Sequence, residues 1–387
     1  MHLRRRGAVA SGGAGGRGTV LAIGSFDGVH RGHQAIIRAA RRAAADIRPV
    51  VAVTFWPHPT TVLRPQQPAA LLTDLPERVR LLLQAGADQV RVVRFSRRLA
   101  AWTPAQFVAA VLDPLRPRTV VVGENFRFGR GAAADGRALA GLAGGAFAVE
   151  VLALLSDQGP VSSSRVRAAL AAGDPAGAAQ MLGRWFRYSG VVVPGDRRGR
   201  ALGFPTANLA VDEARACPAD GVYAGWLTPL DAPDPAPRLD LAAHSGSAAH
   251  SGSASWSGSA SWSGSAAWSG SAAWSDFSVR PDLAVRPDFA AQTGSDVRID
   301  SAAWTGRPAE ARRWPAAISV GSNPTFAGSS RRVEAHVLDR TDLELYGRPV
   351  GVDFVARLRG TRRFDSPAAL VEQLGRDIAS TRRALSA

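Results

Sequence analysis

The chain has 387 residues, 46% of them hydrophobic, and a formal net charge of +15, long enough to bury two cores. Its one cysteine, Cys217, excludes a disulfide framework and a cysteine zinc site, and no apolar run reaches membrane-spanning length. All 47 basic residues are arginine. A lysine-bearing phosphate loop is therefore excluded, and any ATP chemistry falls to backbone, arginine, histidine and a metal ion.

Residues 1–18 are basic and lack the apolar core of a signal peptide. They read as a flexible tail, and a cytoplasmic location is expected. The arginines are scattered, without the aromatic interleaving of nucleic-acid binders, so neither nucleic acid nor a membrane is expected as partner. Strand candidates Val20–Ile23, Val50–Phe55, Val90–Phe95, Thr119–Val122 and Ala148–Leu152 then alternate with helical patterns. These include Gln34–Ala45, Leu75–Ala85 and a helix opened by Thr103 and Pro104. Such alternation predicts a parallel sheet flanked by helices, with ligands beyond the carboxyl ends of the strands.

Between the first strand and helix runs Gly24-Ser-Phe-Asp-Gly-Val-His-Arg-Gly-His33. A strand-to-helix junction offers free N–H groups and the positive helix end to an anion. Gly32 lets the backbone approach a phosphate, and His30 and His33 are placed to donate to phosphoryl oxygens. His58, between two prolines, and Asn125 also fall just after strands. Ser163 and Ser164 open a helix ending at Gly173, a phosphate-binding position or a plain serine cap.

From Trp185 the pattern changes to short β segments: Phe186–Val193, Val222–Leu227, Ala316–Val320, Val333–Leu338 and Val352–Leu358. They predict a small antiparallel barrel. A closing helix has Ser366 as cap and Pro367 in its first turn. The predicted division is a tail (1–18), an α/β domain (19–184) and a barrel domain (185–387). Residues 231–312 interrupt the barrel and carry a six-residue repeat presenting His244, His250, Trp256, Trp262, Trp268 and Trp274 on Ser/Gly/Ala spacers. This composition predicts a disordered surface insert at the tip of a hairpin.

The ten-residue string resembles the HxGH signature of nucleotidylyltransferases, in the form found in bacterial bifunctional riboflavin kinase/FMN adenylyltransferases. Val53-Thr-Phe-Trp-Pro-His-Pro59, Val122-Gly-Glu-Asn-Phe-Arg-Phe-Gly129 and Val161-Ser-Ser-Ser-Arg-Val-Arg167 resemble that family's next motifs, with serine for threonine at Ser164. Gly203-Phe-Pro-Thr-Ala-Asn208, Val320-Gly-Ser-Asn-Pro-Thr-Phe326 and Val333-Glu-Ala-His-Val-Leu-Asp339 are similar to riboflavin kinase motifs in the expected order.

The resemblance implies a nucleotidylyltransferase-type parallel sheet domain that adenylylates FMN to FAD, then a riboflavin kinase barrel with a C-terminal helix. ATP, riboflavin and FMN are the implied substrates, with Mg²⁺ accompanying ATP. For adenylylation it implies Gly24, Phe26, His30, His33, Ser163, Ser164 and Arg167 on ATP, and His58 and Asn125 on the flavin or phosphate side. His58 also reads as a residue merely ordered by its prolines. For the kinase it implies Gly195, Arg200, Gly203, Thr206 and Asn208 on ATP, Thr206 and Asn208 on Mg²⁺, and Glu334 as base. Alternation leaves Glu334 equally a solvated strand residue. The family usually has a lysine in the 195–200 turn, where this chain has arginine. Two other readings stay open: an adenylyltransferase whose kinase is impaired by the insert, and a non-catalytic flavin- or nucleic-acid-binding regulator.

Overall fold

A computed structural model describes residues 18–156, 159–195, 203–230, 239–241, 297–300, 313–322, 331–340 and 342–386. The Trp repeat and most of the 1–18 tail lie outside the described residues, as do Arg200 and Asn323.

The first half is built on five parallel strands: β1 (Thr19–Ile23), β2 (Val50–Trp56), β3 (Gln89–Arg94), β4 (Pro117–Gly123) and β5 (Ala148–Leu152), in the order β5-β4-β1-β2-β3. β2 is buried throughout and β1 nearly so, which is why both read as continuous apolar runs rather than alternating ones. One apolar cluster lies under α1 (Arg31–Ala44) and α3 (Leu75–Gln84), and a second covers the opposite face. The strand order reverses between β1 and β4. That is the crevice where an open α/β sheet receives its ligand.

The Thr103 cap forms as expected, with the reciprocal Gln106 bond of a capping box. The helix it opens is α-helical only over Pro104–Phe107 and continues as a wider π turn, Val108–Leu112. The other helices of this half are α2 (Pro59–Leu63), α4 (Arg97–Ala100), α5 (Pro104–Phe107) and α6 (Gly136–Ala143), and two more, α7 (Ser163–Ala171) and α8 (Pro175–Leu182), lead out of it.

The second half is a closed barrel. Its strands are β6 (Phe186–Val193), β7 (Ala207–Ala210), β8 (Gly221–Pro229), β11 (Trp314–Ser322), β12 (Arg331–Val337) and β13 (Pro349–Arg359), in the order β11-β12-β7-β6-β13-β8. β8 and β11 pair antiparallel from Trp314↔Leu227 to Val320↔Gly221, so the segment between them leaves from the end of a hairpin. The disorder expected of 231–312 does not hold at two places: short strands β9 (Leu239–Leu241) and β10 (Val297–Asp300) pair with each other, and β10 pairs antiparallel with β3, whose open edge offers the backbone partners that composition does not reveal. A last helix, Pro367–Ser386, is capped by the Ser366 hydroxyl, which accepts from the Ala369 N–H. The barrel core is continuous with Val166 and Leu170 of α7 and Ala178 and Leu182 of α8.

Candidate active sites

At the β1–α1 junction Phe26, Gly28 and Val29 all take positive φ (51°, 80° and 40°). At Gly28 a Cβ would also lie 2.7 Å from Leu72 Cδ1, so glycine is required twice over. His30 caps α1: its Nδ1 accepts from the His33 N–H at 3.3 Å. That bond leaves the proton of the neutral ring on Nε2. The two imidazoles stack, centroids 3.6 Å apart and 18° from parallel. A Cβ on Gly32 would sit 3.1 Å from His30 Cε1, so this glycine makes room for the stack. Phe26, expected on the nucleotide, is wholly buried, and its ring meets His33 edge-on at 5.2 Å. Its ring seats the histidine from the core side. Gly24 lies at the end of β1, with the same ring 3.0 Å from its Cβ position.

Burial pushes both imidazoles towards the neutral form. His30 falls to about 4, against the pull of Asp27 and with the push of Arg184. His33 is lowered well below its ordinary value by burial, His30 and Arg78. His58 falls to about 4 through burial, against Asp27. Its Nδ1 accepts from the Thr60 N–H at 3.3 Å and meets Thr60 Oγ1 at 2.8 Å. Asn125 is exposed in the turn after β4.

Asp27, given no role by the sequence reading, lies at the centre of this cluster. Its carboxylate accepts from the Leu72 and Thr73 N–H groups, from Arg78 at 3.2 Å and from Arg167 at 2.6 Å. Burial alone would raise its pKa; Arg78 and Arg167 outweigh it and hold the group ionised. Its carbonyl oxygen accepts from the Ser163 hydroxyl at 2.8 Å. Ser162, not Ser163, is the α7 cap, its oxygen accepting from the Arg165 N–H. Ser164 is exposed at the helix start. Arg167 also donates to the Ala70 carbonyl at 2.6 Å.

In the barrel, Glu334 of β12 pairs directly with Asn208 of β7. Val333, Ala335 and Val337 enter the core, while Glu334 and His336 occupy the other face, half-buried. The Asn208 amide nitrogen donates to the Thr206 carbonyl and hydroxyl, both at 3.3 Å. A Cβ on Gly195 would come within 2.4 Å of that nitrogen, so glycine is needed where the turn crosses Asn208. The His336 Nδ1 meets the Pro205 carbonyl at 2.8 Å and fixes the turn leading into β7. Gly203 takes φ +86° in an open position. Among the described residues no cluster of three or more His, Cys, Asp or Glu forms a metal cage. A hard cation bridging phosphates needs no such cage.

The FAD synthetase family model matches residues 14–165, and the riboflavin kinase model matches residues 182–385. A bifunctional riboflavin kinase/FMN adenylyltransferase of Escherichia coli K12 is 30% identical over 364 residues, 93% of this chain and 90% of that protein. One from Pseudomonas fluorescens is 31% identical over 378 residues, 95% of this chain and 93% of that protein. One from Bacillus subtilis is 36% identical over 209 residues, 53% of this chain and 66% of that protein. A solved Streptococcus pneumoniae structure, described as a macrolide-efflux protein, matches with a TM-score of 0.68, 26% identity and 94% coverage of each chain. Among the described residues of the present chain, no helix is long and apolar enough to cross a membrane.

Proposed function

The chain belongs to the bifunctional riboflavin kinase/FMN adenylyltransferase family, and from that premise we propose how its residues divide the two reactions. It is a transferase that phosphorylates riboflavin to FMN and adenylylates FMN to FAD. We assign adenylylation to residues 19–184 and phosphorylation to 185–387, interrupted by the 231–312 insert.

In adenylylation an FMN phosphate oxygen bonds to the α-phosphorus of ATP, and the bond to the departing pyrophosphate breaks. Such a displacement needs positioning and charge neutralisation. The observation that carries the assignment is the stacked His30/His33 pair at the β1–β4 crevice, held neutral and with the His30 proton on Nε2. Neutral N–H donors gain strength as charge develops on the phosphoryl oxygens and need no proton of their own to be lost. The α1 N-terminus adds its dipole. Arg167, Ser164 and the first N–H groups of α7 are assigned to the β- and γ-oxygens. Ser163 uses its hydroxyl proton on Asp27, which leaves its backbone for the ligand. His58 and Asn125 are assigned to the FMN phosphate and flavin side.

In the kinase, the riboflavin 5′-hydroxyl attacks the γ-phosphorus. Glu334 is assigned as the base that takes its proton. Thr206 Oγ1 and the Asn208 amide oxygen are the hard, neutral donors that would hold Mg²⁺: the hydroxyl oxygen keeps a second lone pair beside the bond it accepts from the Asn208 amide nitrogen, and Gly195, lacking a Cβ, leaves room over the Asn208 amide. Bound there with ATP, Mg²⁺ would neutralise charge on the phosphate oxygens. Gly195, Arg200 and Gly203 are assigned to the nucleotide. A cytoplasmic location, where ATP is abundant, suits both reactions. The full chain supplied with riboflavin, ATP and Mg²⁺ should yield FMN, then FAD and pyrophosphate. FMN without FAD, or neither product, would contradict the assignment.

A further inference from the structure

The sequence motifs bring Arg167 to the crevice but do not say what aims it. Arg167 stands on α7, and its guanidinium is caught between two acceptors: Asp27 Oδ2 and the Ala70 carbonyl, both at 2.6 Å. The Asp27 side chain is 1% exposed and that of Arg167 20%, so this contact has an inner, dry end and an outer end open to solvent. On its other oxygen Asp27 meets Arg78, which is entirely buried. Arg78 in turn donates to the Thr73 carbonyl and to the Phe55 carbonyl near the end of β2, close to His58. The Asp27 backbone carbonyl takes the Ser163 hydroxyl. One residue thus joins the first turn of α7, the end of β2 and the histidine loop.

Resting on the assignment of Arg167 to the polyphosphate, we infer that Asp27 is a positioning residue for adenylylation, fixing the Arg167 guanidinium at the nucleotide while touching no substrate itself. A carboxylate orients a guanidinium more strictly than a neutral acceptor does, because the contact is charge-assisted and directional. With Arg78 already neutralising Asp27, the charge of Arg167 remains available to an incoming anion.

The test uses the full chain with Asp27→Asn, Arg167→Ala and the double variant, reading KM for ATP, KM for FMN and kcat in adenylylation. Riboflavin phosphorylation and a thermal melt report the fold. Asp27→Asn should raise KM for ATP about ten- to hundredfold, the range for a lost charge-assisted contact. KM for FMN should move less than about threefold, and the double variant should be no worse than Arg167→Ala. Asp27→Asn also strips Arg78 of its partner, which can prevent folding. Asp27→Asn/Arg78→Met removes both buried charges and should fold with the same rise in KM. A KM for ATP unmoved by Asp27→Asn, or by that pair, but raised by Arg167→Ala overturns the positioning role alone. Losses that multiply in the double variant overturn it as well. A KM unmoved by Arg167→Ala overturns the assignment of Arg167 to the nucleotide and the positioning role with it.

Discussion

His30 has two tasks that compete for its ring. Its Nδ1 caps α1, and its Nε2 is the nitrogen assigned to the phosphoryl oxygens, so protonation would cost the cap as well as charging a buried group. The consequence is a pH dependence of stability. With a folded pKa near 4 for His30 and His58, against about 6.5 unfolded, the unfolded chain binds more protons between these values. Stability from this source is complete above about pH 6.5 and is lost as pH falls towards 4. Melting temperature should therefore drop over that interval, and His30→Ala should flatten the slope. An equally steep slope in the variant would show that His30 does not carry it. The histidines were legible because motif and strand end coincide in the sequence. Asp27 sits in the same motif and was not: its partners Leu72, Thr73, Arg78 and Arg167 are remote in the chain. Nothing local separates a buried aspartate from a solvated one.

At the scale of elements, long apolar runs were legible and short or irregular pieces were not. The five parallel strands and most of the barrel lie where the alternation of apolar and turn segments placed them. β7 was missed because its four residues follow a proline turn and carry no long period. The π turn after Phe107 has no composition signal distinct from a helix. β9 and β10 lie in a segment read from its low-complexity composition alone. Close backbone packing is likewise invisible until strands are paired. Gly225 on β8 is the clearest instance: a Cβ there would stand 2.0 Å from the Asp353 carbonyl oxygen and 2.4 Å from Ile318 Cδ1. Gly225→Ala should destabilise the barrel by about 1–3 kcal/mol through overpacking. Denaturant unfolding followed through riboflavin phosphorylation checks this. An unchanged midpoint would mean that β8 and β13 can separate without loss.

Taken whole, the molecule keeps two chemistries in two bodies that share an apolar boundary through α7 and α8. Because β8 and β11 already pair at the base of the insert, and β9 and β10 only extend the first sheet past β3, at the edge away from β1 and β4, replacing residues 231–312 by a short turn should leave both activities intact. The entropic gain is small, about 0.6 kcal/mol per halving of loop length. Loss of either activity in a folded variant would give the insert a part in that reaction. The central claim is that His33 serves one reaction and Glu334 the other. Its most direct test is a crossed assay of His33→Ala and Glu334→Gln, each supplied separately with riboflavin and with FMN. His33→Ala should form FMN normally and lose FAD formation by about 10²–10³. Glu334→Gln should fail on riboflavin and convert supplied FMN to FAD at the unmutated rate. Loss of both activities in either folded variant, or near-normal riboflavin phosphorylation by Glu334→Gln, would contradict the account.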